Sequence, residues 1–187
     1  MYQASDIRKG LKIELDGQPY SITYFQFVKP GKGQAFTRTK CKNLITGAVL
    51  ERTFKIVESL TPADVEDHTM QFLYAEGETY AFMHMETYEQ ISIPKDVLGD
   101  AVNFLVDQME VTVTTFNSRP VSIELPNFVV LEVTYCEPGA KGNTAQGGNK
   151  PATVSTGATI NVPLFVEQGT LIKIDTRTGE YVERVKA

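Results

Sequence analysis

The chain has 187 residues, and 42% of them are apolar, a proportion that supports folding around a sizeable core. Its 18 basic and 23 acidic residues give a formal charge of -5, which as a single number argues against a nucleic-acid or anionic-membrane partner. No apolar run approaches the roughly 18 residues that a bilayer span needs, and the first residues lack the basic and apolar regions of a signal peptide. We therefore expect a soluble, cytoplasmic protein with no membrane partner.

Cys41 and Cys136 are the two cysteines, and the sequence contains no C-x-x-C pair. This pattern predicts neither a disulfide framework nor a cysteine-rich metal site. One long-range bridge between the two thiols stays open as an alternative. We expect no bound metal and no cofactor.

Short runs rich in β-branched and aromatic residues alternate with turn residues about every ten positions, which is typical of small all-β sandwiches or barrels. In the first third of the chain, strands are expected at residues 11–15, 20–28, 35–44 and 48–57. Asp16-Gly17 indicates a hairpin turn between the first two strands. Residues 60–63 are interpreted as a linker.

The middle third combines strands with a single predicted helix. Strands are expected at residues 69–74, 79–93, 109–116 and 121–125. Pro94 suits the first turn of a helix, and the residues that follow it place an apolar face on that helix, formed by Val97, Ala101, Phe104 and Leu105. Strands around one short helix suit an OB-type barrel.

The last third opens with a strand at residues 128–135, followed by an irregular loop over residues 138–151 that is rich in glycine and proline. Three closely spaced strands then follow at residues 159–166, 171–175 and 180–185. We place domain boundaries near residues 63 and 126. The predicted fold class is all-β, with three small β-barrel domains at residues 1–63, 64–126 and 127–187.

The net charge is distributed unevenly over these three domains. Residues 1–63 carry +5, residues 64–126 carry -10, and residues 127–187 are neutral. The acidity of the chain is therefore a property of its middle domain and conceals a basic first domain. No carboxylate occurs between Asp16 and Glu51, a window that contains five of the cations. Such a window favours a phosphate-rich partner.

Three of these cations, Arg38, Lys40 and Lys42, are spaced two residues apart and therefore project from one face of their strand. Thr39 and Cys41 take the other face. We interpret the cationic face as facing RNA. The alternative is a solvated edge strand on which lysines prevent aggregation.

The loop Lys29-Pro30-Gly31-Lys32-Gly33 precedes this strand and invites comparison with a phosphate-binding P-loop. That motif requires G-x-x-x-x-G-K-[ST] and a following helix, whereas Lys32 is followed by Gly33 and a strand. Pro30 stiffens the loop, and the glycines permit positive φ and hold Lys32 at the apex, where it can enter a narrow cavity. The alternative is an ordinary hairpin tip with a solvated lysine.

Other groups of residues carry weaker signals. His68 follows three carboxylates, but a polar loop explains this better than a metal or acid-base site, and His84 lies in a strand-like stretch. The aromatic residues of the basic domain could stack on nucleic-acid bases, although core packing is the favoured interpretation for them; they are Tyr24, Phe25, Phe27 and Phe36.

Two separate groups of residues resemble bacterial translation elongation factor P. The first is the stretch from Val28 to Phe36, with Leu44, Thr46 and Gly47 downstream. The second lies near the C-terminus and comprises Lys150-Pro151-Ala152-Thr153, Ser155-Thr156-Gly157, Val162-Pro163-x-Phe165, Gly169, Ile172-x-Ile174-Asp175-Thr176 and Gly179-x-Tyr181. The resemblance extends from about Ile7 to Lys186, which is nearly the whole chain.

The resemblance implies an SH3-like, KOW-like first barrel and two OB-fold barrels in an L-shaped arrangement similar to tRNA. It also implies a monomeric protein that is not an enzyme and is related to initiation factor five A of eukaryotes and archaea. Such a factor binds the 70S ribosome between the peptidyl and exit sites, contacting ribosomal RNA and stabilising peptidyl-tRNA. It thereby stimulates peptide-bond formation and relieves stalling at consecutive prolines. The open alternative is a general RNA-binding β-barrel protein that acts away from the ribosome.

The resemblance also assigns roles to individual residues. The tip loop, residues 29–33, supports the acceptor end of peptidyl-tRNA, and Lys32 receives β-lysine, in some relatives with hydroxylation, from an enzyme similar to lysyl-tRNA synthetase. Gly142, Asn143 and Thr144 match a loop that approaches the exit-site codon, although the family commonly has Asp where Asn143 stands. Tyr181 and Arg184 match a Tyr-x-x-Arg pair that faces the small subunit and tRNA, and their alternative is a packing tyrosine and a surface arginine.

Overall fold

The computed structural model describes residues 1–138 and 148–186. It is about 58% strand and only 7% helix, with curled half-barrel sheets, so the predicted all-β class is confirmed. The chain divides into two compact units, residues 1–68 with 113–122 and residues 69–112 with the described chain from 123 onward. The boundaries at residues 63 and 126 stay predictions.

The first sheet has six strands in the spatial order β1-β6-β2-β3-β4-β5. They are β1 (Tyr2–Gln3), β2 (Lys12–Leu15), β3 (Gln18–Val28), β4 (Phe36–Asn43), β5 (Val49–Lys55) and β6 (Ser59–Pro62). A short 3-10 helix, Ala4–Asp6, follows β1. The predicted turn between β2 and β3 is present, with φ of 52° at Asp16 and 79° at Gly17. The core of this sheet includes Ile13, Ile22, Cys41, Phe54 and Leu60.

The linker expected at residues 60–63 is wrong. Residues 59–62 form strand β6, in which Leu60 is opposite Tyr2 and Pro62 is opposite Ile13. Leu60 is only 2% exposed. The reason is that Leu60 completes the hydrophobic core. The backbone of β6 also pairs with both β1 and β2, so that the polar groups at the edges of those strands are hydrogen-bonded.

The second sheet has five strands in the order β11-β10-β7-β8-β9. They are β7 (Val65–Glu76), β8 (Thr79–His84), β9 (Gln90–Pro94), β10 (Glu110–Phe116) and β11 (Arg119–Glu124). The single strand expected at residues 79–93 is therefore two strands. His84 closes the turn between them, because its Nδ1 accepts hydrogen bonds from the backbone N–H groups of Glu86 at 3.1 Å and Thr87 at 3.3 Å.

The predicted helix after Pro94 is shorter than its apolar spacing indicated. It consists of α1 (Lys95–Leu98) and a following 3-10 helix, Gly99–Asn103. Gly99 interrupts the α-helix because its φ of 55° and ψ of -133° lie outside the helical region. Phe104 and Leu105 are buried as predicted, whereas Val97 and Ala101 are only partly buried.

The third sheet has five strands in the order β14-β13-β12-β15-β16. They are β12 (Phe128–Cys136), β13 (Asn149–Val154), β14 (Thr159–Pro163), β15 (Leu171–Asp175) and β16 (Glu180–Val185). Strand β13 falls at the end of the loop expected over residues 138–151. Its Pro151 obscured the strand pattern, but Pro151 is exposed and is flanked by the buried Lys150 and Ala152.

Phe104 belongs to the core of the third sheet rather than to that of the second. It is buried in one cluster with Val129, Leu131 and Ile172. Beside it, the hydroxyl of Thr156 donates a 2.6 Å hydrogen bond to the carbonyl of Asn103. The segment after α1 is therefore anchored by both apolar packing and a hydrogen bond.

Candidate functional site

The β3–β4 hairpin carries the predicted tip loop and extends beyond the core of the first sheet. Its register runs from Tyr20 opposite Asn43 to Val28 opposite Phe36. Five consecutive residues of β3, 23–27, are exposed, so this part of the strand is open to solvent on both faces. We call residues 23–40 the arm.

The loop at the end of the arm spans residues 29–35 between the two strands. Lys29 and Lys32 are both exposed in this loop, whereas Pro30 is half-buried. Of the two glycines that flank Lys32, Gly33 has a φ of 98° and Gly31 does not lie in the positive-φ region. A Cβ atom at either glycine would meet nothing within 4 Å. Lys32 therefore stands at an apex with open space on both sides.

Strand β4 separates a buried face from a cationic face. Thr37, Thr39, Cys41 and Asn43 are buried, whereas Arg38, Lys40 and Lys42 alternate with them and are exposed. None of the ion pairs among residues 1–138 and 148–186 involves these three cations. The carboxylate of Glu51 on β5 is directly opposite Lys40 but forms no ion pair with it in the described chain, so the face keeps a net positive charge. This charge makes the face attractive to phosphate.

The aromatic residues of the arm are not packed in the core, which corrects the interpretation favoured from the sequence. Tyr24 is 45% exposed, Phe25 44% and Phe27 57%, while Phe36 is half-buried. Tyr24 lies opposite Lys40, and the Nζ of Lys40 is 5.7 Å from the centroid of the Tyr24 ring. The core interpretation failed because Ile22 is the last buried residue of β3, and the strand continues beyond it into solvent.

The two cysteines are both free and buried, so the long-range disulfide left open by the sequence is excluded. Cys41 lies under the cationic face, with its sulfur 3.4 Å from the hydroxyl of Thr39. Burial raises the pKa of the Cys41 thiol, although the Thr39 hydrogen bond and the nearby charge of Arg52 act in the opposite direction. The thiol is therefore a packing group of low nucleophilicity.

The two histidines have local partners. His68 Nε2 lies 3.2 Å from a carboxylate oxygen of Glu66, and His84 closes the turn after β8. Within the described ranges, no three His, Cys, Asp or Glu side chains are grouped so that they could hold a metal ion. In these same ranges, no helix has the length and hydropathy needed to cross a bilayer.

The structure places Tyr181 and Arg184, both predicted to face tRNA, in different surroundings on β16. Tyr181 packs partly buried against the core of the third sheet. Arg184 is exposed, and its guanidinium carbon lies 4.5 Å from the centroid of the Phe165 ring. The predicted codon loop, Gly142, Asn143 and Thr144, lies outside the described residues.

Phe128 is a second exposed aromatic residue with cations around it, and it was not identified from the sequence. Phe128 has Lys173 Nζ at 4.7 Å and Arg177 Cζ at 5.7 Å from its ring centroid. Arg177 also forms two hydrogen bonds with the carboxylate of Asp175, and this lowers the pKa of Asp175. Strand pairing across β12 and β15 brings these residues together, which sequence separation conceals.

Comparison with known proteins matches the chain along almost its full length. Residues 3–60 match the elongation factor P KOW-like domain, residues 65–123 its OB domain, and residues 129–184 the elongation factor P C-terminal model. These matches confirm the predicted KOW-like and OB-type barrels.

Individual proteins give the same result. The chain is 54% identical over 186 residues to elongation factor P of Syntrophus aciditrophicus (strain SB), covering 100% of both chains. Two solved structures are similar in fold at low identity. Eukaryotic translation initiation factor 5A from Methanococcus jannaschii has a TM-score of 0.53 at 21% identity, covering 66% of this chain and 90% of that one. A translation initiation factor eif-5a family protein from Naegleria fowleri has a TM-score of 0.52 at 20% identity, covering 66% and 96%. With these matches on both the arm and the C-terminal sheet, the chain belongs to the elongation factor P family of translation factors.

Proposed function

We propose that this protein binds the ribosome between the peptidyl and exit sites and uses its arm to support the acceptor end of peptidyl-tRNA. The observation that carries the proposal is the arm itself, in which Lys32 stands exposed at the apex beside a face formed by Arg38, Lys40 and Lys42. Membership of the elongation factor P family supports a role in translation.

The chemical problem at the peptidyl-transferase centre explains how such an arm can act without donating a reacting group. Proline has a rigid ring and a secondary amine, so consecutive prolines reach the geometry for attack slowly. Holding the acceptor end of peptidyl-tRNA in place restores that geometry, which stimulates peptide-bond formation and relieves stalling. On this account the protein is not an enzyme, because no side chain of the arm exchanges a proton or forms a bond.

Lys32 is the residue that we propose to be modified. An enzyme similar to lysyl-tRNA synthetase adds β-lysine to it, and hydroxylation is the accompanying change. The exposure of Lys32 in the tip loop supports this, because a modifying enzyme can reach a lysine that is open to solvent. The extension lengthens the reach of the lysine and adds an amine that contacts RNA phosphates and 2′-hydroxyls.

Further contacts are assigned to the rest of the chain. Arg184 and Tyr181 face the small subunit and tRNA, and the loop of Gly142, Asn143 and Thr144 approaches the exit-site codon. In that loop the amide of an asparagine can donate as well as accept hydrogen bonds, whereas the Asp common in the family at position 143 can only accept them. We propose a cytoplasmic monomer with domains at residues 1–63, 64–126 and 127–187.

Co-sedimentation with ribosomes tests the location. We expect the protein to pellet with ribosomes that carry peptidyl-tRNA, and a matched charge-reversed variant, Arg38→Glu with Lys40→Glu, to stay in the supernatant. A protein absent from ribosomes but retained on free single-stranded RNA would instead indicate a general RNA-binding protein.

Mass spectrometry of the protein from its native host tests the modification. Fragmentation across residues 29–38 should place an added mass on Lys32 and leave Lys29 unchanged. An unmodified Lys32 in that material would contradict the modification while leaving the ribosomal role open to its own test.

A further inference from the structure

The Tyr24 ring is exposed on the cationic face of the arm, where the core of the barrel gives it no packing role. We propose that Tyr24, together with Arg38 and Lys40, forms a binding site for an unpaired nucleotide of RNA. The base stacks on the tyrosine ring, and the two cations contact the flanking phosphates. The inference rests on the proposed function in so far as the arm meets RNA, and it assigns a ligand to a residue outside the tip.

Strand pairing brings the three side chains to one face. Tyr24 is directly opposite Lys40, and Gln26, two residues further along β3, is opposite Arg38. Side chains at directly opposed positions project from the same face of a sheet. The Lys40 Nζ lies 5.7 Å from the Tyr24 ring centroid, which shows that an aromatic ring and a cation already share one small surface.

An irregularity in β3 fixes the direction of Tyr24. The register shifts between Ile22 and Tyr24, so Thr23 is an extra residue in the strand. The Thr23 hydroxyl donates a 3.2 Å hydrogen bond to the carbonyl of Lys40. A bulge of this kind re-aims the following side chain, and here it presents Tyr24 to solvent beside the cations. The Tyr24 hydroxyl lies 3.5 Å from the Gln26 side-chain oxygen, which restrains the ring further.

The chemistry of this surface favours RNA over an apolar protein partner. Aromatic rings beside lysine and arginine are the usual platform for single-stranded nucleic acid, because every base has a stacking face and every nucleotide carries a phosphate. The opposite face of the arm provides an internal comparison. Phe25 is exposed to almost the same extent, but it lies opposite Thr39 rather than opposite a cation.

The sequence contains no tryptophan, so one substitution creates a specific fluorescent reporter. In the Tyr24→Trp variant, titration with a mixed-sequence single-stranded RNA oligonucleotide should quench the indole emission, because stacking on a base quenches indole. The Phe25→Trp variant is the matched control on the other face and should keep its emission. Equal quenching in the two variants, or no quenching in either, would overturn the proposal. Equal quenching of Tyr24→Trp by a blunt RNA duplex, whose bases are already stacked, would also overturn it by indicating phosphate contact alone.

Affinity measurements separate stacking from charge. Tyr24→Ala should weaken binding of the single-stranded oligonucleotide by about 5- to 100-fold, with Tyr24→Phe and Phe25→Ala close to the parent protein. Tyr24→Ala should leave the slope of log affinity against log salt concentration unchanged, because contact with an uncharged ring releases no counterion from the RNA. Lys40→Gln should reduce that slope by about 0.7. A Tyr24→Ala variant with parental RNA affinity would overturn the proposal, and if that variant also lost modification at Lys32, the ring would be assigned to a protein partner.

The nucleotide site and the proposed function of the tip can fail independently of each other. Quenching at position 24 combined with normal proline-stretch synthesis by Lys32→Ala would keep the nucleotide site and remove the role of the tip. Loss of synthesis in Lys32→Ala without quenching at position 24 would keep the role of the tip and remove the nucleotide site.

Discussion

The guanidinium carbon of Arg184 lies 4.5 Å from the centroid of the exposed Phe165 ring, so the loop after β14 holds an arginine that belongs to β16. A cation over an exposed ring contributes about 0.5–1 kcal/mol and restricts the directions that a long side chain can take. Phe165 thus supports and restricts the side chain of Arg184, the residue that we propose to contact the small subunit and tRNA.

This support can be tested by a double-mutant cycle on ribosome affinity. We expect Arg184→Ala to weaken binding and Phe165→Leu to weaken it less. The double variant should bind no more weakly than Arg184→Ala alone, because the ring acts through the arginine. Fully additive losses would show that Phe165 contacts the ribosome independently.

Alanine substitutions at the two glycines of the tip should change the free energy of unfolding in opposite directions. Gly33 has a φ of 98°, which a side chain disfavours, whereas Gly31 lies outside that region and has open space around it. We expect Gly33→Ala to lower the free energy of unfolding by about 1–2 kcal/mol. Gly31→Ala should raise it by up to about 1 kcal/mol, because alanine restricts the unfolded chain. Urea denaturation measures both, and equal effects would contradict the conformational assignment.

Phe104 should be a major contributor to stability. It is 5% exposed and belongs to the core of the third sheet. We expect Phe104→Ala to lower the free energy of unfolding by about 3–5 kcal/mol through loss of burial and a residual cavity. Phe128→Ala is the matched control, because that ring is 42% exposed, and it should cost less than about 1 kcal/mol. Similar losses in the two variants would show that the packing of Phe104 contributes little.

Cys41 should make stability depend on pH in the alkaline range. Because burial raises the pKa of the folded thiol above the ordinary value of 9.0, the unfolded chain loses its proton first as pH rises. The contribution is therefore fully present below about pH 9 and declines above it, with a slope of at most about 1.4 kcal/mol per pH unit. The difference in unfolding free energy between the parent protein and Cys41→Ala should shrink between pH 8 and pH 10. A difference that stays constant would place the thiol in a more solvated environment.

Much of the fold follows from local sequence pattern. The alternation in β4 predicted a strand with two different faces, and Asp16-Gly17 predicted a hairpin turn, since side-chain period and positive φ are local properties. The helix after Pro94 was predicted too long because apolar spacing does not reveal the positive φ of Gly99. Strand β13 was obscured by Pro151, which the sheet tolerates at an exposed position.

Only part of the candidate site could be predicted from the sequence. The spacing of Arg38, Lys40 and Lys42 predicted a cationic face, and their alternation with buried residues agrees with it. The exposure of Tyr24 could not be predicted from its own neighbours, because it depends on where the tertiary packing of β3 ends, which is at Ile22. The predicted strand lengths offered one signal, because the strand expected at residues 20–28 is longer than the one expected at residues 11–15. The pairing of Arg184 with Phe165 depends on tertiary contact alone.

The most direct test of the central claim is synthesis through three consecutive prolines in a reconstituted translation system, with Lys32→Ala compared with the modified parent protein. Lys9→Ala, an exposed lysine outside the arm, is the matched control. We predict that Lys32→Ala lowers the rate through the proline stretch by about tenfold or more, while a proline-free template is translated normally. An unchanged rate with Lys32→Ala would contradict the account.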